Sequence, residues 1–144
     1  MAKKFVRTDN CAFTKVPSLI KSAKYMGSDG TTATVVENGV LVAIKGLIKN
    51  EREIHIAQDA TADDTVIGIV CAPEVEYDER GYHGLETFEN EADAVIKVGV
   101  LQKGDIFSIG NETETTDLTV GTITAKHIDT ETSGRFTYQV YEVI

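Results

Sequence analysis

Apolar and polar positions alternate most clearly in residues 94–110, AVIKVGVLQKGDIFSIG. Val95, Lys97, Gly99 and Leu101 alternate with Ile96, Val98 and Val100, and Ile106 and Ser108 alternate with Phe107 and Ile109. A period of two with β-branched residues predicts two strands, and Gln102-Lys103-Gly104-Asp105 between them predicts a tight turn. The same reading places strands at 34–37 and 40–45 around an Asn38-Gly39 hairpin turn. Another is expected at 53–57, and a closing one at 135–144 after a turn at 129–134. Residues 118–128 read as one or two strands broken near Gly121. Residues 66–72 are a nearly continuous apolar run ending at Pro73, the pattern of a strand buried on both faces. About eight to ten short strands follow residue 33, with no internal repeat. The expected fold is all-β, a small barrel or sandwich.

The first 33 residues show no sustained period. Phe13, Val16, Leu19 and Ile20 have spacings that suit one or two helical turns near Pro17-Ser18. Charge divides at the same place. Residues 1–30 carry six basic and two acidic side chains, a net of +4, and residues 31–144 carry eight and twenty-one, a net of −13. Residues 1–33 therefore read as an extended basic N-terminal arm, and residues 34–144 as a β-rich body.

A chain of 144 residues sets an expectation of one domain with an independent core. Its 42% hydrophobic content, 12 Gly, 2 Pro and absence of Trp favour short strands and turns. A net charge of −9 disfavours nonspecific nucleic-acid binding, which needs a basic footprint. No apolar run approaches the ~20 residues of a membrane span, and the N-terminus has no signal-peptide core. A soluble protein without nucleic-acid or membrane partners is expected. Cys11 and Cys71 lie far apart without metal spacing; Cys71 reads as a free buried thiol.

Candidate chemistry is sparse. His55, His83 and His127 have no His or Cys three or four residues away, so a zinc site has no local support. His55, between Ile54 and Ile56, is expected on the wet side of a strand. Asp59, Asp63 and Asp64 lack the glycine and closing glutamate of an EF-hand loop. A G-x-S-x-G nucleophile signature is absent. A biotinyl or lipoyl carrier would present a lysine on an exposed hairpin, and Lys126 in TAKHI fits no such hairpin. No enzyme activity, cofactor or metal is expected.

The unusual segment is 74–93, EVEYDERGYHGLETFENEAD. Eight carboxylates and one Arg interleave with Tyr77, Tyr82, Leu85 and Phe88. A short helix is expected over 85–92. Long excursions between strands commonly face a partner. An acidic face of this kind suits electrostatic docking better than acid–base catalysis, which needs two carboxylates fixed in a cleft.

Residues 34–110 also carry V-x-N-G-x-L-V, A-P-E-x-x-Y-D-E-R, F-x-N-E-A and K-G-D-I-F-S-I. Together with the aromatic final strand TYQVYEVI, these resemble the head decoration or capsid cement proteins of tailed bacteriophages. The resemblance implies a β-rich structural virion protein held in many copies on the outside of the capsid. Its partners would be the major capsid protein and neighbouring copies of itself, as a trimer or as monomers. It implies a place on the virion surface, reached through the host cytoplasm, and it carries no catalytic residues. The expected anchors are aromatic residues and arginine, which dominate interface energetics. They are Phe5, Phe13 and Tyr25 in the arm, and Tyr77, Arg80, Tyr82 and Phe88 in the body. Rival expectations are a tail, neck or head-fibre component, or a β-barrel module for a small ligand or carbohydrate.

Overall fold

The computed structural model of the chain describes residues 4–28, 30–49, 52–71, 90–110, 112, 115–133 and 136–144. Ten strands lie within them: β1 (Phe5–Asn10), β2 (Ile20–Tyr25), β3 (Leu41–Leu47), β4 (Ile54–Gln58), β5 (Ile67–Val70), β6 (Ile96–Val100), β7 (Ile106–Gly110), β8 (Leu118–Val120), β9 (Ile123–Ser133) and β10 (Phe136–Val143). The protein is all-β. Strands β2-β4-β3-β5-β6 close into a barrel, and β1-β7-β10-β9-β8 form a five-stranded sheet. All described pairings are antiparallel except β2 with β4.

Two apolar clusters explain the architecture. Ala23, Val36, Val42, Ala57, Val70, Ile96 and Val98 fill the barrel interior. They are mostly small and β-branched, as the narrow lumen of a five-stranded barrel requires. The second cluster lies between barrel and sheet, where Ile69 and Leu101 meet Phe107, Ile109, Tyr141 and Val143. Phe107 and Tyr141 stack there, with ring centroids 5.6 Å apart. Each fully buried large side chain contributes about 1.5–3 kcal/mol. Strand β5 belongs to both clusters. Val70 points into the lumen and Ile69 toward the sheet, and all four β5 residues are buried. The continuous apolar run in its sequence has this cause.

The N-terminal segment is not an arm. Strand β1 pairs with β7 in the sheet, and β2 is a stave of the barrel between β4 and β6. Between them, the 3-10 turns Ala12–Thr14 and Pro17–Leu19 replace the expected helical turns. Three-residue turns account for the spacing of Phe13, Val16 and Leu19. Strand β1 is short and irregular, with a register shift between Arg7 and Asn10, so it leaves no period of two to read.

The stretch 94–110 does hold two strands and a turn, but the strands do not pair with each other. Strand β6 pairs with β2 and β5 in the barrel, whereas β7 pairs with β1 and β10 in the sheet. The turn is the crossing between the two units. Asp105 fixes it from a buried position. Its Oδ1 accepts the Ala12 N–H at 3.0 Å, its Oδ2 accepts the Gln102 N–H at 2.8 Å, and its carbonyl accepts the Val143 N–H at 2.9 Å. One side chain thereby joins the N-terminal turn to the crossing, and its backbone adds the last strand.

Three smaller expectations also change. Residues 34–37 form no strand beyond a single bridge between Val36 and Asn90. The Asn38-Gly39 turn makes no hairpin, since the Gly39 N–H goes to the Val70 carbonyl at 2.8 Å. The polar stretch after His127 continues as strand through Ser133, pairing with β10, rather than turning at Asp129. Of the expected helix 85–92, the described part is the Asn90 bridge and a turn.

Candidate functional site

The expected arm anchors are structural. Phe5 is only 3% exposed, and its ring lies edge-on to Tyr138 at a centroid distance of 5.5 Å. It fills the space above Gly110, where any Cβ would come within 2.4 Å of the ring. Phe13 is 2% exposed and packs in the same way over Gly99. Neither ring is accessible to a partner. A glycine inside a strand marks such close approach, and Gly99 and Gly110 were the signals in the sequence.

Tyr25 is half-buried at the end of β2, and its hydroxyl donates to Asp59 Oδ1 at 2.5 Å. Burial, then the hydrogen bond and the negative charge of Asp59, push the phenol up to about 12. Tyr25 thus latches the barrel to the loop after β4. Tyr77, Arg80, Tyr82 and Phe88 lie outside the described residues.

The ends of their segment are fixed, however. The Cys71 N–H bonds to the Lys97 carbonyl at 3.0 Å. Asn90 is buried, and its amide donates to the Val36 carbonyl and to Asn38 Oδ1 at 3.2 and 3.1 Å. The described residues that flank the acidic segment, Cys71 and Asn90, are therefore both held by the body, Asn90 against Val36 and Asn38.

The face of the sheet turned away from the barrel carries an arrangement that the sequence did not single out. Alternation sends Tyr141 and Val143 inward and Tyr138 and Val140 outward. The register then aligns Arg7 with Ser108, Ser108 with Val140, and Val140 with Asp129. Four adjacent strands, β1, β7, β10 and β9, place these side chains in one row.

Arg7 stands over the Tyr138 ring at 5.6 Å and reaches Glu131 at 3.8 Å, with both charged side chains half exposed. Beneath them is a cleft of about 240 Å³. Ile106 and Val140 form its floor with Ser108, and Ile128, Asp129, Glu131 and Arg7 form its rim. A second, shallower hollow of about 430 Å³ lies between the loop at Asp59–Ala62 and the β8–β9 turn at Gly121.

Polar contacts elsewhere serve the seams. Gln139 Nε2 donates to the Glu112 carbonyl at 3.3 Å, so its Oε1 accepts from His127 Nε2 and from the Thr130 hydroxyl, both at 2.7 Å. Lys4 pairs with Glu112 at 2.8 Å. Lys45 hydrogen-bonds and ion-pairs with Asp64. That bond, with the Thr61 N–H, holds the Asp64 carboxyl below the usual carboxylate range. His55 is half-buried rather than fully wet, with Nδ1 3.3 Å from the Lys45 carbonyl.

Cys11 is buried and Cys71 half-buried; neither is in a disulfide, and their thiols donate to the Ile106 and Lys97 carbonyls. Among the described residues, no group of three or more His, Cys, Asp or Glu gathers around a metal-sized space. No described helix is long and apolar enough to cross a membrane. No protein-family model matches this chain, and neither the curated proteins nor the solved structures contain a significant match.

Proposed function

We propose that this protein is a structural component of a tailed-bacteriophage virion, bound in many copies to the outside of the capsid and stabilising it. The sequence motifs of residues 34–110 motivate the reading. The structural observation that carries it is the outer face of the β1-β7-β10-β9 row, where Arg7, held over the buried Tyr138 ring, stands at the rim of a cleft with a half-sunk apolar floor. An exposed arginine beside buried apolar ground is what protein interfaces use as an anchor.

The partners under this reading are the major capsid protein and neighbouring copies. With the N-terminal segment folded into both units, docking passes to the sheet face and to the segment 72–89. Many equivalent copies on one shell make even a modest contact effective. A module for a small ligand has less support, because the barrel interior is filled by its own side chains.

The test is titration of the purified protein against emptied, expanded capsids, with occupancy read by cryo-electron microscopy. Saturation at many equivalent positions per particle is expected. A handful of copies would point to a tail, neck or fibre position, and absence of binding would reject the virion reading.

A further inference from the structure

We propose that the cleft on the outer sheet face receives a single arginine side chain from a partner polypeptide. The inference concerns the chemistry of the occupant and holds whatever assembly presents it.

The volume comes first. About 240 Å³ lies below the roughly 300–1,000 Å³ of small-molecule pockets and suits one long side chain. The floor comes second. Ile106 and Val140 offer apolar contact at the bottom, with Ile128 exposed at the edge, which matches the methylene stem of a long cationic residue.

The hydroxyl of Ser108 is the third and most specific observation. Ser108 is 8% exposed and lines the cleft. No described hydrogen bond engages its Oγ, and since no buried side-chain oxygen among the described residues lacks a partner, this oxygen keeps a remnant of exposure, toward the cleft that Ser108 lines. A donor entering the cleft can take the place of the water that this oxygen otherwise meets there.

Charge decides the sign of the occupant. The rim holds two carboxylates, Asp129 and Glu131, against one guanidinium. Arg7 already faces Glu131 and the Tyr138 ring. The Asp129 carboxylate accepts only the neighbouring Thr130 N–H at 2.8 Å, and no described cation stands against it. An incoming cation therefore meets an unmatched negative charge in a protein of net charge −9. The acceptors lie at separate points of the cleft, on Asp129, Glu131 and Ser108. A planar guanidinium with five donors serves spread acceptors better than a compact ammonium.

The experiment is a nitrogen–proton NMR titration of the full chain with Nα-acetyl-arginine methylamide. The citrulline analogue, which has the same shape without the charge, runs in parallel. The arginine probe is expected to give saturable shifts centred on the Arg7, Ser108, Asp129 and Glu131 amides, and the citrulline probe is expected to give none. Asp129→Asn should weaken the arginine probe about tenfold or more, as loss of a charge-assisted contact does. Ser108→Ala should weaken it several-fold while the spectrum stays dispersed. Absence of saturable shifts, equal binding of citrulline, or unchanged affinity in a folded Asp129→Asn variant overturns the proposal.

Discussion

The Phe13 ring occupies the space that a side chain at Gly99 would fill: a Cβ there would stand 2.5 Å from the ring carbons. Phe13 follows β1, and Gly99 lies in β6, so this contact presses the first 3-10 turn onto the barrel. Gly99→Ala is expected to cost about 1–3 kcal/mol, because the ring must leave its place in a packed core. Phe13→Ala should cost about 3–5 kcal/mol through the cavity it leaves. The double variant should cost less than the sum, since the new methyl enters the vacated space. Urea denaturation of the three variants checks this. Strict additivity would mean that the two residues do not share one space.

The same contact governs truncation. Deleting residues 2–30 would remove an edge strand of the sheet and a stave of the closed barrel. It would also remove Phe5 and Phe13 from the core and the Ala12 N–H from Asp105. The expected product lacks a cooperative unfolding transition and binds hydrophobic dye. Circular dichroism and thermal melting provide the measurement. A truncated chain that melts cooperatively near the full-length midpoint would restore the N-terminal segment as a separable arm.

Why that segment misled is physical. A period of two is visible only where a strand has one wet and one buried face. Strand β6 comes nearest to that condition, with Lys97 exposed between buried Ile96 and Val98. Strands β7 and β10 are covered on both faces and are read from their β-branched and aromatic residues, as β5 is from its continuous apolar run. Strand β1 has a register shift within six residues, and Phe5 is buried on the outward face where polar residues would be expected. Basic charge then suggested a solvated arm, although Lys4 is paired with Glu112 and Lys24 with Asp93. Pairing partners carry still less sequence signal. Nothing in 94–110 tells whether β6 and β7 pair with each other or with β2, β5, β1 and β10. The row of Arg7, Ser108, Val140 and Asp129 was invisible for the same reason. It is assembled by register across four strands that are distant in sequence.

The two perturbed groups among the described residues give opposite pH limbs. The Tyr25 phenol is raised from its ordinary 10.0 to about 12, chiefly by burial and then by Asp59. A raised value in the folded state means that the neutral hydroxyl is favoured there. Its contribution is complete below pH 10 and is lost as pH rises toward about 12. Asp64 is lowered from 3.8 by Lys45 and the Thr61 N–H. Its contribution is present above that pH and is lost as pH falls through the lowered value. Tyr25→Phe should therefore flatten the alkaline loss of stability and leave the acid limb unchanged. Asp64→Asn should flatten the acid limb alone. Urea midpoints across the pH range, with tyrosinate absorbance followed in parallel, check both. Wild type and Tyr25→Phe losing stability in parallel above pH 10 would show that the Tyr25–Asp59 latch does not hold the alkaline limb.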